Sequence, residues 1–133
     1  MTVFLDTNIV IFLVERTPGT GPLAEARVKA LLSQGERLVI SDLVRMECRV
    51  RPLRENDQVL LAEFDSYFAS QDVQVASVTA KVCDTAAAIR ADFGFRPMDA
   101  LHLAAATEQG CARFLTYDQR LARFHDIAVE ILS

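Results

Sequence analysis

The chain has 133 residues, of which 51% are hydrophobic and 24% charged, and 18 acidic against 14 basic residues give a net charge of −4. This composition is typical of one globular domain, which we expect to span residues 1–133, and it excludes a disordered tail. The acidic balance argues against a domain that holds nucleic acid by bulk positive charge, but it allows an enzyme whose site is a cluster of acids.

Membrane and secretory classes are also disfavoured. No apolar run reaches the roughly 18 residues of a membrane span, and no basic segment precedes the first apolar run, so we predict a cytoplasmic protein. The cysteines Cys48, Cys83 and Cys111 are odd in number and form no C-x-x-C pair. This spacing argues against a disulfide framework and a zinc site, and we expect three buried free thiols.

Short strand-like runs alternate with longer helical runs along the chain. The first half of the chain predicts a strand at Val3–Leu5, a helix in NIVIFLV, a turn at Thr17–Gly21, a helix at Leu23–Leu32, a strand at Leu38–Ile40 and a helix through SDLVRMECRV capped by Ser41. An amphipathic helix at Leu53–Phe68, a strand at Val73–Val75 and helices at Val78–Phe93 and Met98–Gln109 follow. The chain ends with a strand at Phe114–Leu115, a short helix in QRLARF and a strand at Ile127–Leu132. This alternation predicts an α/β fold of three layers, α/β/α, with a central mostly parallel sheet of about five strands. Ligands of such sheets bind at the carboxyl ends of the strands.

Two aspartates stand where predicted strands end. Asp6 follows the first strand and Asp118 follows the fourth, and Thr116 lies just before Asp118. Each aspartate could belong to a ligand site or could simply cap the helix that follows. Thr116 could likewise be part of such a site or an ordinary β-branched strand residue. Two such acids at the same edge of one sheet favour a ligand site there.

Two further acids lie on predicted helices. Glu47 has Leu43 four residues before it and Val50 three after, so we expect it within a core-facing apolar stripe, although a long side chain can bend out to water. Asp99 shares a helix face with residues 103 and 106, although an aspartate in a first helical turn is also favoured by the helix dipole. His102 beside it is better explained as a hydrogen-bonded histidine near the core than as a ligand or base.

Four carboxylates brought to one edge need a counter-charge. Two like charges 4 Å apart repel by about 4 kcal/mol at an effective dielectric near 20, against a total domain stability of about 5 to 15 kcal/mol. We therefore expect either protonation of some acids or a bound divalent cation. Oxygen ligands without His or Cys clusters favour Mg²⁺ or Mn²⁺.

Four segments together resemble a known family. FLDTN, SDLVRME, PMDALHLAAA and GCARFLTYDQRL, in this order and spacing, resemble the PIN-domain ribonucleases and in particular the VapC-type toxins of bacterial and archaeal toxin–antitoxin pairs. The resemblance implies a catalytic, metal-binding set of acids, namely Asp6, Glu47, Asp99 and Asp118, with Thr7, Asn8, Ser41 and Thr116 as polar neighbours. Tyr117 departs from the pattern, since many relatives carry asparagine there.

The resemblance also implies an activity and partners. One or two Mg²⁺ or Mn²⁺ ions would activate water and stabilise the leaving oxygen in the hydrolysis of RNA, leaving a 5′ phosphate and a 3′ hydroxyl. A small antitoxin, often inserting an arginine near the metal site, and a symmetric homodimer are implied as well. The candidate contacts to RNA phosphates are Arg45, Arg49, Arg51, Arg54 and Arg96, each of which is equally well explained as a solvated helix residue.

The sequence disfavours two other functions and leaves a third open. Glycines in TPGTG are not followed by Lys-Ser or Lys-Thr, so a phosphate-binding P-loop is absent. Phosphatases that form an aspartyl-phosphate need a second aspartate two residues after the first, where this chain has Asn8. A catalytically silent PIN-fold protein that acts only by binding a partner stays open.

Overall fold

The computed structural model describes residues 1–133 and contains five strands, six helices and one short 3₁₀ helix. In chain order they are β1 (Thr2–Leu5), α1 (Thr7–Glu15), α2 (Thr20–Ser33), β2 (Arg37–Ser41), α3 (Asp42–Arg54), α4 (Gln58–Phe68), β3 (Val73–Ala76), α5 (Ala80–Phe93), α6 (Pro97–Glu108), β4 (Arg113–Thr116), the 3₁₀ helix (Gln119–Arg123) and β5 (Ala128–Ile131). None of the helices combines the length and the apolar character needed to cross a membrane.

The strands form one sheet in the order β3-β2-β1-β4-β5, and every neighbouring pair is parallel. Helices α1 to α4 pack against one another, and α5 packs against α6, which gives the three layers. The predicted α/β/α fold is therefore confirmed, with a sheet that is entirely parallel.

The central strand β1 is buried on both faces, as its run of apolar residues predicts. Val3, Phe4 and Leu5 are at most 2% exposed, and the Phe4 ring stacks on Phe114 of β4 at 5.2 Å between centroids. Parallel strands covered by helices on both sides have this continuous apolar character. The strand therefore gives a rigid base to the residue that follows it, Asp6.

The strand order reverses direction beside β1. The chain passes from β1 to β2 and β3 on one side, and then returns to β4 and β5 on the other. The connections that leave β1 and β4 therefore diverge, which opens a crevice at the carboxyl ends of these two strands. Asp6 and Asp118 stand on its two sides.

The prediction of one helix over Leu53–Phe68 is wrong. Leu53 belongs to the end of α3, which continues through Pro52, and α4 is a separate helix. Between them, Asn56 has a left-handed φ of 53° and Asp57 accepts a hydrogen bond from the Leu60 amide at 3.0 Å, so it caps α4. Two smaller differences are that α2 begins at Thr20, inside the predicted turn, and that α5 begins at Ala80 after its cap Thr79.

The cysteines follow the expectation in two of three cases. Cys48 and Cys111 are buried and free, but Cys83 is exposed on α5. The prediction of a buried thiol at Cys83 is wrong because the buried face of α5 is formed by Val82, Ala86 and Ile89. No disulfide forms among the three.

Candidate active site

Asp6 links the end of β1 to the start of α1 and is only 7% exposed. Its carboxylate accepts hydrogen bonds from the Thr7 amide at 2.8 Å, the Thr116 hydroxyl at 2.7 Å and the Asn8 side-chain amide at 3.3 Å. The bond from Thr7 caps α1, so the capping interpretation holds together with the position at the sheet edge. All three donors are uncharged.

Burial raises the pKa of Asp6, and this effect outweighs the opposing effects of the His102 charge and of the hydrogen bonds from Thr116 and Thr7. The folded protein thus favours the neutral carboxyl more than water does. A cation bound beside Asp6 would reverse this preference, because it would stabilise the ionised form.

Glu47 lies on α3 and accepts hydrogen bonds from two residues on other helices. Its Oε1 accepts from the Thr7 hydroxyl at 2.5 Å and from His102 Nε2 at 2.6 Å. His102 is 3% exposed, so the expectation of a hydrogen-bonded histidine near the core is confirmed. Burial alone would raise the pKa of Glu47, but the hydrogen bonds from His102 and Thr7 lower it below its ordinary value.

The predicted position of Glu47 within an apolar stripe is wrong. The buried residues of α3 are Val44, Cys48 and Pro52, whereas Val50 is 42% exposed. Glu47 lies at the border of the stripe with 32% of its side chain exposed. It reaches the site from this border because His102 and Thr7 bind it there.

Asp118 and Asp99 are joined through arginines. Asp118 caps the 3₁₀ helix by accepting from the Arg120 amide at 3.0 Å, and the Arg120 guanidinium binds both of its carboxylate oxygens. The same guanidinium lies 3.8 Å from Asp99 Oδ2, which Arg96 Nε binds at 3.2 Å. The hydrogen bond from the Arg120 side chain lowers the pKa of Asp118.

These partners correct one expectation. The charge of the four acids does not by itself require protonation or a metal ion, because Arg96, Arg120 and His102 stand beside three of them. Asp6 alone has only uncharged hydrogen-bond donors. The need for a counter-charge is therefore concentrated at Asp6.

Hydrogen bonds and ion pairs connect all four acids at one edge of the sheet. Thr7 links Asp6 to Glu47, and Thr116 donates to Asp6 while it accepts from the Asp118 amide at 3.0 Å. Arg120 completes the connection to Asp99. However, no three or more His, Cys, Asp or Glu side chains come close enough together to form a ready-made metal cage.

The other predicted polar neighbours divide into two groups. Asn8 belongs to the network, since its side chain also accepts from the Tyr117 amide at 3.0 Å. Ser41 is fully buried, and its hydroxyl caps α3 by accepting from the Leu43 amide at 3.2 Å. Ser41 contacts none of the four acids through a hydrogen bond.

Most of the candidate RNA-contacting arginines are engaged in ion pairs. Arg45 pairs with Asp42, Arg49 with Asp65, Arg51 with Glu15 and Arg96 with Asp99. Arg54, at the end of α3, forms no ion pair. Contact of these residues with RNA stays a prediction.

Sequence reasoning missed Arg120 as part of the site. Its signal was its place two residues after Asp118, since a residue in the first turn of a short helix can turn back to the cap. His102 was noticed, but its bond to Glu47 depends on how α3 and α6 meet, which the sequence does not show.

Comparison with known proteins gives a family and a shared fold. The family model of the PIN domain matches residues 3–127, while no curated protein sequence matches the chain. Among solved structures, the chain is similar to VapBC2 from Rickettsia felis bound to a promoter DNA fragment, with a TM-score of 0.83, 15% identity and 100% of both chains covered. It is also similar to DNA-bound VapBC from Salmonella typhimurium, with a TM-score of 0.79, 20% identity and 98% of both chains covered.

A third similar structure is VapC20 from Mycobacterium tuberculosis, described as a toxin that cleaves the sarcin–ricin loop, with a TM-score of 0.70, 19% identity and coverage of 94% of this chain and 98% of that one. At such identities these likenesses show a common fold. The family model spans nearly all of the chain, and this chain therefore belongs to the PIN-domain family.

Proposed function

We propose that this protein is a VapC-type toxin, a cytoplasmic metal-dependent endoribonuclease that hydrolyses RNA phosphodiester bonds and is inhibited by a cognate antitoxin. The observation that carries the proposal is Asp6, a carboxylate 7% exposed in the crevice between β1 and β4 and bound only by uncharged donors. The similar structures support the biological setting, because they include toxin–antitoxin complexes and a toxin that cleaves an RNA loop.

The donor chemistry of the site fits Mg²⁺ or Mn²⁺. Carboxylate oxygens are the ligands that these hard cations prefer, and one or two ions would be held by Asp6, Asp99, Asp118 and the second oxygen of Glu47. Arg120 and Arg96 now bind two of these acids, but their side chains are 55% and 67% exposed. Both arginines can turn away into solvent without disturbing the core.

The bound cation would supply a water acidic enough to form hydroxide near neutral pH and positive charge at the phosphate. The residues of the chain perform the remaining roles. Thr7 and Thr116 fix the orientation of Asp6. Glu47 orients the attacking water, whose proton passes to solvent, while Arg96 and Arg120, once released, pair with the phosphate oxygens. The water oxygen joins phosphorus, the bond to the 3′ oxygen breaks, and that oxygen takes a proton from solvent.

A groove lined by α1, α2 and α4 suits an antitoxin segment. It has a volume of about 800 Å³ and lies between α1, α2 and α4, with apolar walls formed by Leu13, Val14, Val28, Leu32, Val59 and Tyr67. The Tyr67 hydroxyl is buried there and has no hydrogen-bond partner within the protein. An amphipathic helix fits such a groove with its apolar face.

A second surface suits the proposed homodimer. Met46, Val50 and Leu53 are spaced four and three residues apart on α3 and are 47%, 42% and 55% exposed. An exposed apolar row on one helix face is the kind of surface that a second copy of the chain covers.

Two observations favour the alternative of a catalytically silent binding protein. The arginine pairs of Asp99 and Asp118 and the lack of a ready-made cage would both be expected if the acids had only a structural role. The two functions differ in one respect, which is metal-dependent cleavage of RNA.

The deciding experiment incubates the purified protein with total RNA and either Mg²⁺, Mn²⁺ or EDTA, and then sequences the cleaved ends. We expect cleavage by the wild type only with metal, and ends that carry a 5′ phosphate and a 3′ hydroxyl. Asp6→Asn and Asp99→Asn should cleave at the background rate. Equal cleavage by wild type and Asp99→Asn would assign the activity to a contaminant or to other residues, and a protein that binds its antitoxin but cuts no RNA would support the silent alternative.

A further inference from the structure

We propose that His102 is a positioning residue which, together with Thr7, fixes Glu47 by one oxygen and leaves the other free for a bound cation or its water. The inference rests on the proposed function. It assigns His102 a role that acts through Glu47, without contact to the substrate.

Both donors converge on the same atom. Glu47 Oε1 accepts from the Thr7 hydroxyl at 2.5 Å and from His102 Nε2 at 2.6 Å, and the two donors are 3.5 Å apart. Glu47 Oε2 has no hydrogen-bond partner within the protein, although the carboxylate can accept at both oxygens. The carboxylate is thus held at one end and open at the other.

The three residues come from three different helices. Thr7 begins α1, Glu47 lies on α3 and His102 on α6, so the contact fixes Glu47 relative to both helical layers. His102 is 3% exposed and its ring lies 6.3 Å from that of the buried Phe4. A ring packed in this way cannot follow a moving partner, so it restrains Glu47.

Restraint matters because Glu47 would otherwise be mobile. Its side chain is 32% exposed at the border of the buried face of α3, and a glutamate has several rotatable bonds whose freedom is lost on binding a ligand. Two hydrogen bonds made before binding remove most of that freedom in advance. Outer partners of this kind orient ligands in metal sites generally.

The direction of the bond excludes His102 as a ligand through Nε2. An ionised carboxylate only accepts hydrogen bonds, so the proton of this bond lies on Nε2. The other ring nitrogen, Nδ1, is buried and has no partner within the protein. His102 therefore donates to Glu47 whether the ring is neutral or charged.

A double-mutant cycle tests this role by titration calorimetry with Mn²⁺. The matched pair is His102→Gln, which keeps an N–H at the reach of Nε2, and His102→Leu, which removes it. We expect Mn²⁺ affinity about tenfold weaker in His102→Leu and close to wild type in His102→Gln. In a Glu47→Gln background, His102→Leu should change the affinity no further, because the residue on which it acts is already lost.

Two results would overturn the inference: an undiminished affinity in His102→Leu, or an equal loss with and without Glu47. If His102→Leu does not fold, a comparison of Thr7→Val with Thr7→Ser tests the same restraint of Glu47, since only serine keeps the hydroxyl. Equal affinities of those two variants would then reject it. A wild type that binds no Mn²⁺ would instead remove the proposed function itself, which is a distinguishable outcome.

Discussion

At the scale of single residues, burial of Asp6 opposes folding, whereas burial of His102 is offset by its hydrogen bond to Glu47. Asp6 is buried with uncharged donors, whereas His102 is buried against a carboxylate. Burial of an ionised group without a charged partner opposes folding, and active sites are places where proteins accept such opposition. The two residues therefore respond differently to substitution and to pH.

Asp6→Asn should not lower the stability of the metal-free protein. Because burial raises the pKa of Asp6, its ionised form at pH 7 destabilises the folded state, and asparagine has the same shape without the charge. We expect a thermal midpoint equal to or above that of the wild type. Ser41→Ala is the contrasting control, since loss of the α3 cap should cost about 1 kcal/mol. A clear fall in the midpoint of Asp6→Asn would show that its charge stabilises the fold.

The pair of His102 and Glu47 gives a pH dependence with a defined sign. Burial lowers the pKa of His102, but the hydrogen bond to Glu47 and the charge of Asp6 outweigh it, so the pKa is raised from 6.5. Its contribution to stability is therefore fully present below pH 6.5 and is lost as the pH rises through the folded value. The pKa of Glu47 is lowered from 4.5, so its contribution is present above that pH and is lost as the pH falls through the folded value.

Urea unfolding over a pH series measures this effect. The difference in unfolding free energy between wild type and His102→Gln should be largest between pH 4.5 and 6.5 and should shrink at higher pH. A difference that stays constant from pH 5 to pH 9 would contradict an ion pair between the two residues.

At the scale of elements, the short 3₁₀ helix determines how open the site is. Its cap, Asp118, and its second residue, Arg120, bind each other, and Arg120 reaches on to Asp99. A cation that uses these two acids must displace this guanidinium. Asp118 and the arginine that competes with a cation for it, Arg120, therefore come from the same short segment of the chain.

Arg120→Gln should therefore bind Mn²⁺ more tightly. The cation would no longer have to displace a guanidinium that binds Asp118 and lies near Asp99, so we expect the affinity to rise severalfold. Arg123→Gln on the same helix removes the same charge, but Arg123 lies over the Phe95 ring at 4.1 Å and pairs with no acid of the site. Equal gains in the two variants would point to general electrostatics in place of direct competition.

The elements also show what the sequence can predict. The strand-end acids Asp6 and Asp118 were found because an apolar run followed by an aspartate is a local signal. The face of Glu47 was misjudged because neighbouring helices decide which side of α3 is covered. The end of α3 was missed because the left-handed turn at Asn56 uses a residue other than glycine.

At the scale of the whole molecule, the fold presents two candidate binding surfaces. The reversal beside β1 places the acids at the carboxyl edge, while α1, α2 and α4 form the apolar groove. The topology followed from the alternation of strands and helices together with the rules for parallel sheets. The groove could not be predicted from the sequence, because it depends on the spacing between helices after packing.

Val59→Asp tests the proposed antitoxin groove. Val59 is 73% exposed, so the change should leave folding intact, while a charge in the apolar wall should weaken binding of the antitoxin at least tenfold. Val78→Asp is the control, an exposed valine outside the groove. Binding constants from surface plasmon resonance that are equal for both variants would place the antitoxin elsewhere.

The most direct test of the central claim, that Asp6 is the core of a divalent-cation site, is the thermal midpoint of the purified protein as Mn²⁺ is added. A ligand bound only by the folded state at about 100 times its Kd stabilises it by about 2.7 kcal/mol, so the wild-type midpoint should rise by several degrees. Asp6→Asn should show no rise over the same range. An equal rise in both proteins, or none in the wild type, would contradict the account.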